Sequence, residues 1–442
     1  SLVGAFSYAW VAWVLFCFGL WIPSSSAGFQ QIGNWGFDQG GGFRQGNFVG
    51  EDADLILVDM AWNPQEKQLA VAGELAGNWA VRVYSFASEG PDLLVSWDGN
   101  ASLHASVATA LVWVPSSGKL VCGVEHLIND RISVSIFGLD VESKEVERVE
   151  DFSGWDSLIE LKHESTEKNV AWALGTEEGL AKVAEVNLSK MQIVDEFRME
   201  KIQEPVDMVF ANGKAWIGGH DESNALIEVF EEGTPLESIS IGKNIFLSKM
   251  VASRDQLFLT GRSKDKEEEL EDFFLESRKL SLENAESWRV LVKPDPKIKE
   301  GVGGSEVGTS LVALSDGSVL VGGHFREPWL LGERAKSSAR DAKGKFAMLM
   351  PSGQGEQNFD SFLAHYDQDG DLIWAQSSDL PGNDFLVSLA ADGEKHAILL
   401  GNRRVDGGFG PYLSNVHLEI DEESKAKFSE EKVLDAFSSS NF

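Results

Sequence analysis

Two histidines follow paired glycines in this sequence, in Gly218-Gly-His220 and Gly322-Gly-His324. Two imidazoles on one rim, with Asp221 or Glu222 beside the first, form a nitrogen and oxygen set that suits a transition metal. The plainer reading is a solvated residue at the start of a hairpin turn. It is preferred, because the two motifs belong to non-adjacent repeats. Asp367-Gln-Asp-Gly-Asp371 resembles part of a calcium loop, but its glycine comes too early and no glutamate follows at the twelfth position. It reads instead as a turn between two strands. No Gly-x-Ser-x-Gly elbow, His-Glu-x-x-His helix or phosphate-binding glycine loop is present. The expectation is therefore no catalytic residue, no metal and no cofactor.

Charge carries a second signal. The 442 residues hold 70 acidic and 38 basic side chains, a formal charge of −32. That balance disfavours a duplex nucleic-acid partner, which needs clustered Lys and Arg. Against this background Arg334, Lys336, Arg340, Lys343 and Lys345 form a basic cluster within residues 326–358. Only two cysteines occur, Cys17 and Cys122, too few for a disulfide framework. Cys122, in Leu120-Val-Cys-Gly123, reads as a small buried hydrophobe.

The elements that would position these groups emerge from an internal repeat. An apolar run closed by glycine ends at Gly73, Gly123, Gly175, Gly219, Gly261, Gly323 and Gly401, at spacings of 50, 52, 44, 42, 62 and 78 residues. Before most runs stands a turn, such as Asn212-Gly213, Asp316-Gly317 or Asp392-Gly393, and before that another short apolar strand. Asn-Gly and Asp-Gly supply the positive φ of a tight hairpin. Third and fourth strands follow, as in Ala80–Phe86 with Leu93–Trp97, or Ala225–Phe230 with Leu236–Ile241. Such four-stranded units hide their faces by stacking in a ring. The fold expected over residues 51–442 is all-β, a seven-bladed β-propeller of four-stranded antiparallel blades.

With strands lettered a to d outward, b–c turns share a face with d–a connections. The residues after the seven glycines, Glu74, Val124, Thr176, His220, Arg262, His324 and Asn402, would ring that face. The two long spacings place insertions at 262–272 and 326–358, both in b–c turns, of blades five and six. Adjacent long loops on one face make a binding edge. Blade seven is expected to use Ser414–Ile420 as its third strand and to close with either 426–434 or 54–58.

Asp360-Ser-Phe-Leu-Ala-His-Tyr-Asp-Gln-Asp-Gly-Asp-Leu-Ile-Trp-Ala375, followed by Gly382-Asn-Asp-Phe and Ala391-Asp-Gly, resembles the bacterial SBBP-type β-propeller repeat. The resemblance covers residues 360–401 and Asp316–Gly323. It implies an exported propeller and no particular chemistry.

Residues 1–27 carry no Asp, Glu, Lys, Arg or His, and Leu2–Ile22 is almost wholly apolar. As a hydrophobic helix this stretch would cross a bilayer core of roughly 30 Å. It reads as a signal peptide, cleaved after Ala27, or as a retained membrane anchor. Either places the remainder outside the cytoplasm. Residues 28–50, Gly-rich and without helical or strand period, read as a linker.

The function expected is non-enzymatic binding or scaffolding at the cell envelope, with a protein or polysaccharide partner on the b–c face of blades four to six. The candidate binding residues are His220, Arg262, His324, Arg334, Lys336, Arg340, Lys343 and Lys345. The alternative is a propeller enzyme, a metal-dependent hydrolase or lactonase with its site at the channel mouth.

Overall fold

In a computed structural model, the residues described are 29–33, 47–50, 55–86, 92–99, 104–149, 152, 154–164, 169–222, 224–264, 271–281, 286–291, 306–326, 329–332, 346–349, 359–378, 383–392, 396–405 and 408–418. They form seven antiparallel sheets radiating from one axis, with a small hairpin attached to the sixth. The innermost strands are Leu55–Asn63, Ser106–Val114, Ser157–Lys162, Glu204–Ala211, Ile245–Ser253, Val307–Ala313 and Asn383–Asp392. Each meets the next around the ring, and the seventh meets the first. The protein is an all-β, seven-bladed propeller.

Alternation along each strand gives both sheet faces apolar side chains, and neither face can be hidden by its own blade. Seven buried clusters accordingly fill the seven blade–blade interfaces. Cys122 lies in the one between blades one and two, buried as expected, and burial pushes its thiol up, with Asp59 adding to the effect. The seam between blades seven and one is packed by Leu55, Leu57, Leu69, Val71, Ile398, Leu400 and Leu413. Each such side chain contributes on the order of 2 kcal/mol when taken out of water.

The recurrent glycine has a geometric cause. Every innermost strand carries a bulge, at Val58, Thr109, Ile159, Val206, Ser248, Thr309 and Val387. The bulge drives a carbonyl toward the neighbouring b strand. A Cβ on Gly261 would overlap the Phe246 carbonyl oxygen, so only glycine allows the approach.

Closure differs from both expectations. The third strand of blade seven is Gly408–His417 rather than Ser414–Ile420. Its outer partner is Asn47–Gly50, which pairs in turn with Phe29–Gly33 to make a five-stranded sheet. Of the 54–58 segment, residues 55–58 instead begin the inner strand of blade one, and 54 and 426–434 lie outside the described residues. The tract 28–50, read as a linker, thus contains the closing strand. Its glycines hide the period-two pattern, and closing the ring removes a free sheet edge.

The insertion of blade five is shorter than expected, because Arg262–Lys264 and Glu271–Asp272 belong to strands b and c. That of blade six carries a hairpin, Trp329–Gly332 paired with Phe346–Leu349, whose Leu331 and Leu349 join the blade five–six core. The Asp367–Asp371 segment is the c–d turn, with the Asp367 carboxylate accepting the N–H groups of Asp369 and Asp371 at 2.9 Å each. Residues 1–27 lie outside the described residues. Among the described residues no helix is long and apolar enough to cross a membrane.

Candidate functional site

Two rows of polar side chains run around the inner strands, one at each side of the bulge. The first consists of residues following the b-strand glycine, and it links blades. Asn402 accepts the Leu57 N–H at 2.8 Å and donates to the Leu57 carbonyl at 2.7 Å. Glu125 accepts the Leu158 N–H at 2.7 Å, and His220 Nε2 accepts the Leu247 N–H at 2.9 Å. In each case the donor is the residue just before the bulge of the next blade. The row therefore satisfies backbone groups that the bulge removes from the ladder.

Blade two corrects the expected row by one residue. There Gly123 pairs with Ala110, beyond the bulge, and Val124 pairs with Ala108. Val124 is fully buried, and Glu125 holds the position that Glu74, His220 and Asn402 hold elsewhere.

The structure brings His220, Arg262 and His324 onto one arc. The rings of His220 and Phe246 lie 6.0 Å apart, and the Arg262 guanidinium sits over Phe246 at 5.2 Å. His324 packs edge-on to Phe359 and Phe385. Burial, and then Arg262, push both imidazoles down to about 4. Arg262 thus stands between the histidines of blades four and six.

In the first Gly-Gly-His motif one imidazole nitrogen is already engaged by the backbone. His220 Nε2 is occupied by the Leu247 N–H, so the proton of the neutral ring lies on Nδ1. Asp221 accepts the Asn224 N–H at 2.7 Å and closes the following turn. Nor are the histidines simply solvated, since both are half-buried or deeper. Among the described residues no group of three His, Cys, Asp or Glu side chains gathers for a metal. Arg334, Lys336, Arg340, Lys343 and Lys345 lie outside the described residues.

Sequence reasoning missed Phe246, the apolar centre of this arc. It is 39% exposed although it lies on an innermost strand. The readable signal was a large aromatic two residues before the bulge, where blades one to four and blade six carry Ile56, Val107, Ser157, Glu204 and Val307.

The second row lies just beyond the bulge: Asp59, Ala110, Glu160, Asp207, Lys249, Ser310 and Ser388. Asp59 accepts the Leu111 N–H at 2.7 Å, Asp207 the Met250 N–H at 2.8 Å, and Ser310 the Leu389 N–H at 2.9 Å. Around the axis, Lys249 pairs with Glu160 and reaches Asp207 at 3.7 Å, while Lys162 lies 3.3 Å from Asp207 and 3.4 Å from Glu160. Asp207 is fully buried. Burial opposes its ionisation, but Lys162 and Lys249 hold its carboxyl below the usual range. Asp59, the third carboxylate beside two ammonium groups, is pushed up to about 7 by burial and then by Glu160. This cluster joins blades one, three, four and five, and a charge inside an otherwise apolar strand was its sequence signal.

No family model matches the chain, and no curated protein matches it. Solved structures do. A chain of the Kuenenia stuttgartiensis hydrazine synthase aligns with TM-score 0.57 and 8% identity, over 83% of this chain and 97% of that one. The WD40 repeats of RRP9 align with TM-score 0.55 and 11% identity, over 89% and 100%. Sqt1 from Chaetomium thermophilum aligns with TM-score 0.50 and 11% identity, over 81% and 96%. At these identities the likeness is one of fold, and what the chain is similar to is a complete propeller.

Proposed function

We propose that the protein is a non-enzymatic binding or scaffolding propeller that works outside the cytoplasm, with its partner docking on the b–c face over blades four to six. The observation that carries the docking face is Phe246, an exposed aromatic fixed on a rigid inner strand, with Arg262 over its ring and His220 beside it. Large apolar side chains held open at a rigid rim are what a recognition surface needs. The basic residues Arg334 to Lys345 adjoin this face in sequence, within the b–c insertion of blade six. The similarity of residues 360–401 to the SBBP-type repeat and the apolar stretch 2–22 support the extracytoplasmic setting.

Affinity capture from the native source, comparing intact protein with a variant lacking 336–345, tests the reading. Partners should be recovered less well by the variant, while its thermal unfolding changes little, because each halving of a loop alters its closure cost by only about 0.6 kcal/mol and this deletion amounts to roughly two halvings. Equal recovery of every partner by both forms would sink the docking face.

A further inference from the structure

The outer strand of blade four, Thr234–Lys243, is ten residues long, whereas the outer strands of the other blades have four to seven. Among the described residues no strand pairs with its far side. Bulges at Leu236 and Ile241 bound a regular stretch, in which Glu237, Ser238, Ile239 and Ser240 pair in step with Val229, Glu228, Ile227 and Leu226. At the second bulge Arg289 of blade five donates to the Ile241 carbonyl at 3.5 Å and closes that end. Short length, repeated charge and bulges are what blunt a sheet edge. Between the two bulges this edge has none of them, and Glu237 is its single charged residue. Leu236 stands at the c–d turn end and is 41% exposed. Beside it lies a groove of about 470 Å³, lined by Gly213, Glu231, Glu232, Thr234 and Leu236.

Charge selects what could pair there. Glu231, Glu232 and Glu237 form no ion pair among the described residues, and neither does Lys214, which adjoins Gly213. A Cβ on Gly233 would come within 3.9 Å of Asp195 Oδ2, so a carboxylate of blade three borders the same turn. A second copy of this chain would set such carboxylates against their own kind at a net charge of −32 each, which disfavours edge-to-edge pairing of two propellers. Carboxylates beside an exposed leucine complement a segment that alternates basic and apolar side chains. An extended chain presents alternate residues on one face, and its main chain supplies the affinity of strand addition. We propose that the outer edge of blade four takes up an extended basic peptide as a further strand. The peptide backbone pairs along Glu237–Ser240, its cations meet Glu231 and Glu232, and an apolar side chain rests on Leu236. This surface lies at the c–d end of the blade, opposite the b–c rim, and does not rest on the docking face proposed above.

Fluorescence anisotropy with a fluorescein-labelled octapeptide of alternating lysine and valine tests this on the full chain. Saturable binding is expected, about tenfold weaker when Glu231→Gln and Glu232→Gln are combined, and about tenfold weaker with Leu236→Lys. All three positions are exposed, so these variants should unfold at the temperature of the unaltered protein. Glu142→Gln with Glu145→Gln removes the same charge from the c–d turn of blade two and should bind like the unaltered protein. A fully N-methylated peptide keeps its charges and loses every backbone donor, and it should bind about tenfold more weakly. With the parent peptide bound, amides within Glu237–Ser240 should exchange more slowly. The proposal is overturned if the N-methylated peptide binds equally well, if the blade-two variant loses as much binding as the blade-four variant, or if exchange at 237–240 is unchanged. It is also overturned if the unaltered protein forms a dimer that Leu236→Lys dissociates, which would assign the edge to a second copy of the chain.

Discussion

Asn402 of blade seven clamps the Leu57 backbone of blade one, accepting from its N–H and donating to its carbonyl. The two residues are 345 positions apart in the chain, so the clamp joins the end of the ring to its start. Replacing Asn402 with Ala removes both bonds and leaves the Leu57 amide in its bulge without a ladder partner. A loss of about 2 kcal/mol is expected. Chemical denaturation measures the total, and faster hydrogen exchange at the Leu57 amide than at Leu158 or Leu247 would localise it to the seam.

A larger effect is expected at the axis. Lys249 reaches past blade four to Glu160 of blade three and also neutralises Asp207. Lys249→Met leaves two deeply placed carboxylates with Lys162 as their remaining ammonium partner. Breaking a buried ion pair from one side costs roughly 3–5 kcal/mol. Adding Glu160→Gln should recover part of the loss, since it removes the charge left behind. A double variant no more stable than Lys249→Met would show that the two residues do not act as a pair.

Much of the ring was legible because its cause is local. Gly73, Gly219, Gly261, Gly323 and Gly401 all face the residue before a bulge, and the close approach forces glycine wherever it recurs. Gly123 faces the residue after the bulge, which a glycine-anchored count cannot detect, and so Glu125 was displaced by Val124. The closing strand Asn47–Gly50 was hidden for another reason: it is four residues long, in a glycine-rich tract, and its partner lies more than 360 residues away. Of the rim site, His220, Arg262 and His324 were found by their place after the glycines. Phe246 was not, because it faces Arg262 across strands rather than along the chain. The axial cluster was missed altogether, since the charges at 59, 160, 162, 207 and 249 meet only when the ring closes.

The Asp59 carboxyl gives a pH signature. Its folded pKa, about 7, lies above the ordinary unfolded value of about 3.9. Between those values the unfolded chain releases this proton while the folded chain keeps it, so the contribution to stability falls as pH rises from about 4 to 7 and is level above. His220, His324 and His365, each lowered to about 4, work in the opposite direction between about 6.5 and 4. The total profile is therefore mixed, and the difference between proteins is the useful quantity. Asp59→Asn keeps an oxygen for the Leu111 N–H and removes the titration. It should gain on the unaltered protein as pH rises through this window, by at most about 1.4 kcal/mol per pH unit. Parallel stability curves for the two proteins would show that Asp59 does not titrate there.

The last expectation concerns where the ring is delivered. Residues 1–27 hold no charged side chain, whereas the propeller that follows carries the whole surplus of acid. An apolar stretch of that length partitions into a bilayer, and its effect depends on the absence of charge near its middle. Changing Leu15 and Leu20 to Lys introduces two ammonium groups into this stretch, where a lysine costs up to roughly 2.5–3.5 kcal/mol at the centre and less toward the ends. Expressed in a bacterial host, the unaltered chain should reach membrane or extracytoplasmic fractions and the double variant should stay in the cytoplasm. Because the propeller is untouched by these changes, both proteins should unfold at the same temperature once purified, which separates failed delivery from failed folding. Identical fractionation of the two would remove the case for export and, with it, the extracytoplasmic setting proposed for the docking face.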